Sequence, residues 1–326
     1  MNNFKKVGLT ALAGSLAAIS AHAAEMTVNG ATMLTYTTED QTEVTGNQWG
    51  MKTNLSFTAS GEVNGYTVSY MQTSADQFAG MSSARLSMDM GDAGVLAFDQ
   101  GSGSGLATID DKTPTAAEEI WDGMDGGVVV GGLVGAAGSK GVFNYINTFG
   151  GLKLNAAVRS GSGANTSDGN SSGANGDAWD FALTGNASDA LAYGIGYGES
   201  DAGDLLVNSD NRHSTIFANY TMGPATFGYQ HSNIDNGAAA GIDEITDAFG
   251  IALNVNDNLS VSYGEREVEY ANSGPHITEQ GEGIAVAYTM GSIKIAGNRN
   301  EVTNNNGSLA ASAADTMTEI AISFAF

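Results

Sequence analysis

Acidic side chains crowd one segment of this chain. Between positions 110 and 125 stand Asp110, Asp111, Glu118, Glu119, Asp122 and Asp125, with Lys112 the one base among them. Fixed carboxylates at such density attract cations and repel anions. The spacing adds a geometry. Thr113 is a capping residue and Pro114 suits a first helical position, so a short helix is expected from there. On that helix Thr115, Glu118, Glu119 and Asp122 share one face, at i, i+3, i+4 and i+7, while Ala117, Ile120, Trp121 and Met124 share the other. The acids then meet water and the Ile-Trp-Met face needs a wall to pack on.

Other chemistry is thinly represented. "GSGSG" at 101–105 follows a strand pattern, but no dinucleotide-binding helix and no spaced acid come after it, so it reads as a flexible loop. His213, His231 and His276 are too scattered for a catalytic cluster, and a hydrolase needs nucleophile, base and orienting acid to converge. His213 and His231 sit on opposite strand parities. The acidic stretches "GDLLVNSD" and "GIDEITD" offer oxygen ligands for weak divalent cation binding, yet neither fits an EF-hand loop or a calcium-binding nonapeptide. No other cofactor is expected.

The elements around the acidic segment are strands. From Trp49 to Ala59 the odd positions are Trp, Met, Thr, Leu, Phe and Ala, and the even ones Gly, Lys, Asn, Ser and Thr. That is period two, one apolar face and one polar face. The pattern recurs at Leu152–Val158, Leu191–Tyr197, Phe249–Val255 and Ile320–Phe326. About sixteen such strands start near residues 26, 48, 66, 81, 95, 141, 152, 179, 190, 212, 225, 247, 259, 282, 292 and 315. Tight turns such as "VNGY" at 63–66 and "MG" at 290–291 alternate with long polar connections such as 161–178. Tyr36, Tyr66, Tyr145, Tyr220, Tyr229 and Tyr288 fall near strand ends, where an aromatic girdle belongs. These features predict an all-β, transmembrane antiparallel barrel with apolar residues toward lipid and polar ones toward a wet lumen. By parity Lys52, Arg85, Lys153, Arg159, Arg266 and Lys294 point into that lumen, while Arg212 and Arg299 point outward toward lipid headgroups.

Composition sets the limits. Lys5 and Lys6, the apolar run Val7–Ile19 and the triplet Ala21-His22-Ala23 read as a signal peptide over 1–23, leaving 24–326 as the barrel. The net charge is −24, and losing those two lysines makes the rest more acidic still, which argues against a nucleic-acid partner. Cysteine is absent, so no disulfide holds an exported chain of this size together. No later apolar run approaches the roughly 18 residues of a spanning helix, so any membrane crossing must be a closed barrel.

Signal peptide, strand number, alternation of short turns with long loops, and the terminal strand "TEIAISFAF" ending in Phe326 together resemble the general porins of Gram-negative outer membranes. The likeness spans the whole mature chain and is architectural. It implies a homotrimer in outer-membrane lipid and lipopolysaccharide, each barrel passing small hydrophilic solutes and ions by passive diffusion. It implies that the long third loop, here 101–140, folds inward as a constriction, with its acids facing a basic cluster on early strands that Lys52 and Arg85 match best. It implies that Phe326 is the assembly signal read by the barrel-insertion machinery. The Pro-Glu-Phe-Gly-Gly signature of enteric porins is missing from the loop. A substrate-selective porin of the same fold and a secreted calcium-binding structural β-protein stand as the alternatives.

Overall fold

The computed structural model describes residues 25–39, 46–74, 80–124, 140–161, 177–201, 210–237, 242–271, 277–310 and 313–325. The signal peptide expected over 1–23, Asp125 and Phe326 lie outside the described residues, as does most of "GDLLVNSD". The strands are β1 (Glu25–Glu39), β2 (Trp49–Val63), β3 (Tyr66–Ser74), β4 (Met81–Asp89), β5 (Val95–Gln100), β6 (Lys140–Phe149), β7 (Leu152–Arg159) and β8 (Ala178–Ser188). They continue as β9 (Leu191–Ser200), β10 (Asn211–Met222), β11 (Ala225–Asp235), β12 (Asp243–Asn254), β13 (Leu259–Ala271), β14 (Ile277–Met290), β15 (Ile293–Thr303) and β16 (Asp315–Ala325).

Every strand pairs antiparallel with its sequence neighbours, and β1 pairs with β16 from Ala31 opposite Ala325 to Glu39 opposite Met317. The sheet therefore closes into a sixteen-strand barrel. Closure matters because a free edge would leave backbone N–H and C=O groups unpaired in hydrocarbon. No helix among the described residues is long and apolar enough to cross a membrane. The tight connections use backbone that few residues accept: Asn64 and Gly65, between β2 and β3, have φ of 53° and 84°, as a two-residue hairpin turn requires.

The alternation resolves as inside-out packing. Phe57, Leu86, Leu96, Phe98, Ile195, Ile216, Phe249, Ile284, Ile295, Ile320 and Phe324 stand on the outer face with much of their surface exposed. The expected girdle tyrosines share that outward parity, with Tyr36 edge-on to Trp49 at 5.0 Å. Two strands begin earlier than their apolar pattern suggests: β12 at Asp243 and β14 at Ile277. Their outward positions near the long loops include Asp243, Asp247, Thr278, Gln280 and Glu282, with Ile245 the apolar exception, so the apolar alternation breaks while the hydrogen-bond ladder continues. The same outer rim holds Arg212 against Glu199 at 3.6 Å and Asp235 at 3.5 Å, and Arg299 against Glu301 at 2.5 Å. Both arginines face outward, as parity suggests, and both are paired there with carboxylates.

Candidate functional site

The connection between β5 and β6 is the feature that differs from a plain barrel. Its root is a clamp. Asp99, fully buried on β5, receives the Ser102 N–H at 2.9 Å and both the Ser102 and Ser104 hydroxyls. Arg85 on β4 pairs with Asp99 at 3.0 Å and donates to the Gly103 carbonyl at 2.6 Å. Beyond this root the chain makes a 3-10 turn, Gly105–Ile109, whose Gly105 and Leu106 N–H groups donate to Asn155 on β7 and Asp180 on β8. Leu106 and Ile109 pack with Ala182 and Phe217 into the main apolar cluster of the interior.

From there the segment follows the inner wall strand by strand. The Lys112 N–H donates to Gln230 on β11 at 2.7 Å, and Asn219 on β10 donates back to the Lys112 carbonyl at 2.8 Å. The Ala116 N–H donates to Ser262 on β13 at 2.8 Å. Asn300 on β15 donates to the carbonyls of Glu119 and Asp122 at 3.1 and 3.0 Å. Glycines make room along the track. A Cβ at Gly228 would lie 2.2 Å from Pro114 Cδ, and one at Gly264 or Gly283 about 3 Å from Ile120. Among the described residues no hydrogen bond joins Gly105–Met124 to β1, β2 or β3. The loop is thus fastened to the β7–β16 side.

This fastening corrects the helix expected from Thr113. Between 111 and 119 the chain is irregular, with bends at 113 and 116–118, and 120–123 form a turn. The reason is competition for backbone groups. Asp111 Oδ1 accepts from the Thr113 N–H and hydroxyl, Thr115 donates to the Glu118 carbonyl, and wall side chains take the Ala116, Glu119 and Asp122 groups a helix would have used. The apolar side chains still seek the wall without helical geometry: Ile120 meets Gly264 and Gly283, and Trp121 lies over the Arg266 guanidinium at 5.2 Å.

The acids sit in a low-polarity neighbourhood close to one another. Burial and the charge of Glu119 push Asp111 up to about 6. Burial, with the charges of Glu118, Glu319 and Glu119, pushes Asp122 up to about 6 as well, against a smaller downward pull from Lys52. Burial also raises Asp110 above its ordinary range. Carboxylates within each other's field resist simultaneous ionisation, which is the signature of concentrated negative potential. Glu319, on the lumen side of β16, belongs to this group and carries no sequence signal beyond its parity.

The basic residues divide into three situations. Arg85 and Arg266 are locked in ion pairs rather than standing as free wall charges. Arg85 holds the loop root, and Arg266 pairs with fully buried Glu279, which also accepts from Tyr270 at 2.8 Å and from the Asn306 N–H at 3.0 Å. Lys52 on β2 remains within electrostatic reach of Asp122. Lys153 and Arg159 lie on the lumen parity of β7 and Lys294 on that of β15, none of them in an ion pair among the described residues. The anchoring residues Asp99, Asn219, Gln230, Ser262, Glu279 and Asn300 were not separable by sequence from ordinary water-facing lumen positions. No group of three or more potential ligands among the described residues is arranged to hold a metal ion.

The comparisons agree with this architecture. A family model described as Gram-negative porin matches residues 8–325. No curated protein matches the chain at the sequence level. The fold is similar to in-vitro folded OmpT, an outer membrane protein of Vibrio cholerae, with a TM-score of 0.68 at 14% identity over 93% of this chain and 98% of that one. It is similar to a multiply substituted mutant of Rh. blastica porin, with a TM-score of 0.63 at 13% identity over 93% and 100% of the chains. It is also similar to the outer membrane channel DcaP of Acinetobacter baumannii, with a TM-score of 0.64 at 11% identity over 93% and 97%.

Proposed function

The chain belongs to the family of Gram-negative porins, outer-membrane channels for passive diffusion, and on that footing we propose that its pore prefers cations and is set by the inner loop. One observation carries the proposal: Glu118, Glu119, Asp122 and Glu319 lie in each other's field at the end of the loop, with Lys52 the base that offsets them. Arg85 and Arg266, the other strong cations nearby, are already neutralised by Asp99 and Glu279. A trimer is part of the same reading, supported by the family and by the uncharged outer face of β1 to β8. The polar lumen and a loop built mainly for wall contacts support general diffusion of small hydrophilic solutes over a dedicated substrate site.

The size of the effect follows from Coulomb's law. A charge about 7 Å from a passing ion is worth roughly 0.6 kcal/mol in bulk water and ~2 kcal/mol at an effective dielectric near 20. Several such charges change relative permeability several-fold, since about 1.4 kcal/mol is tenfold. Replacing Glu118, Glu119 and Asp122 with Gln, Gln and Asn should lower the cation-to-anion permeability ratio, measured by reversal potential in asymmetric KCl, while the trimer stays intact. The change should be larger at 0.1 M than at 1 M salt, where the screening length falls from ~10 to ~3 Å. An unchanged reversal potential at low salt would remove the loop acids from the selectivity mechanism.

A further inference from the structure

Behind the 3-10 turn, toward the short-turn ends of β7 to β10, the wall holds a cavity of about 360 Å³. Lys112 from the loop and Lys153 from β7 both line it. Neither ammonium makes an ion pair or hydrogen bond with a described residue, unlike Arg85 and Arg266. No carboxylate lines this cavity. Of the nearby acids, Asp180 accepts the Leu106 N–H at 3.1 Å and Asp110 accepts the Asp111 N–H at 3.0 Å, while the Asp110 carboxylate also lies within electrostatic reach of Lys112 from outside the lining. In a chain of net charge −24 the lining itself carries only positive charge. Phe217, Ile109, Ala182 and Ala192 form the apolar part of the lining, Thr184 stands opposite Lys153 on the neighbouring strand, and Thr108, Asn155 and Asn219 complete the polar part.

We infer that this cavity binds small monocarboxylates with a compact apolar body, holding the carboxylate at Lys112 and Lys153 and the body against Phe217. A carboxylate between ammonium groups gains charge-assisted hydrogen bonds, and the apolar part gains by leaving water. The volume lies at the lower end of small-molecule sites and fits a single ring. Inorganic anions would lose the apolar contact, and neutral rings would leave the lysines unmatched. The site gives organic anions a resting place beyond the acidic end of the loop, on the short-turn side of a pore that otherwise disfavours them. Its existence does not depend on the cation preference argued above.

Calorimetric titration of the detergent-solubilised full-length trimer tests it without requiring conduction. The probes are benzoate, its neutral isostere benzamide, and sodium chloride as the inorganic control. Benzoate should bind saturably, and benzamide about tenfold more weakly, the loss expected for one charge-assisted contact. K112Q and K153Q should each weaken benzoate severalfold and together erase its advantage over benzamide. R299Q, on the outer face, should leave binding as in the parent. A192F, which fills the cavity and keeps both lysines, should abolish binding of both probes and covers the case in which the double lysine variant assembles poorly. Equal affinity for benzoate and benzamide in the parent, or benzoate binding untouched by A192F, overturns the proposal.

Discussion

The two sides of the barrel interior solve opposite problems. On β7 to β16 the wall faces protein: Gln230, Asn219, Ser262 and Asn300 spend their hydrogen bonds on loop backbone, and Gly228, Gly250, Gly264 and Gly283 open a track for Pro114 and Ile120. On β1 to β3 the wall faces water: Lys52, Thr58 and Ser60 alternate with lipid-facing residues, and the described loop makes no hydrogen bond to them. Identical strand chemistry thus serves as scaffold on one side and as channel surface on the other. The difference teaches that polar residues in this lumen are best judged by what crosses in front of them.

The strongest way to break that contrast is at its buried ion pair. R266M leaves Glu279, fully buried, without its cation and takes the guanidinium from beneath Trp121. Breaking a buried pair costs about 3–5 kcal/mol, so the heat-modification temperature of the trimer should fall sharply and channel noise should rise. R212M, at the half-exposed outer pairs, should shift that temperature little, because exposed pairs contribute about 0–1 kcal/mol.

A second test compares glycines. G228V drives a side chain into Pro114 and Asn219, whereas a Cβ at Gly61 on β2 meets nothing within 4 Å. Overpacking of this kind costs about 1–3 kcal/mol. The loop should lift from the wall in G228V and alter single-channel conductance, with G61V conducting like the parent. Matching conductances for the two variants would mean that the loop is not seated on the glycine track.

Acidity sharpens the electrostatic half of the comparison. Asp111 and Asp122 both titrate near 6, so their charges are present above about pH 7 and lost by about pH 5. Cation preference should fall over that interval. Their folded-state values are raised, so the folded form binds protons more tightly and the loop should be held more firmly on acidification, its stability dropping as pH climbs from about 4 to 6. Reversal potentials and melting curves on one pH series check both signs. The smallest effect belongs to Lys52. K52Q removes a charge from the water-facing wall and from beside Asp122, and should raise cation preference by less than the triple acidic variant lowers it.

Much of this was legible without coordinates. The expected strand starts at 66, 81, 95, 152, 225, 259 and 315 coincide with the observed ones, because alternation in a lipid-facing barrel is imposed at every second residue. The long connection after β5 was conspicuous for its length and its Ile-Trp-Met face. The helix at Thr113 was misread, because a local pattern cannot reveal that Ser262 and Asn300, more than a hundred residues away, compete for the same backbone groups. Parity likewise aimed Arg85, Arg266 and Lys153 at the lumen without separating the two that are locked in ion pairs from the one that makes none among the described residues.

What the sequence by itself determined is therefore everything that repeats along the chain: strand period, the alternation of turns and loops, the side on which each residue stands, and the excess of negative charge. These depend on neighbours one or two residues apart and on the solvent each face meets. Only the tertiary structure decided which lumen charges are spent and which remain. Asp99 lies fourteen residues from Arg85 and Glu279 thirteen from Arg266, yet the first pair stands directly opposite and the second diagonally across neighbouring strands. Pairing of that kind follows from strand register and from the course of one loop along the wall, and neither is written in the period of the sequence.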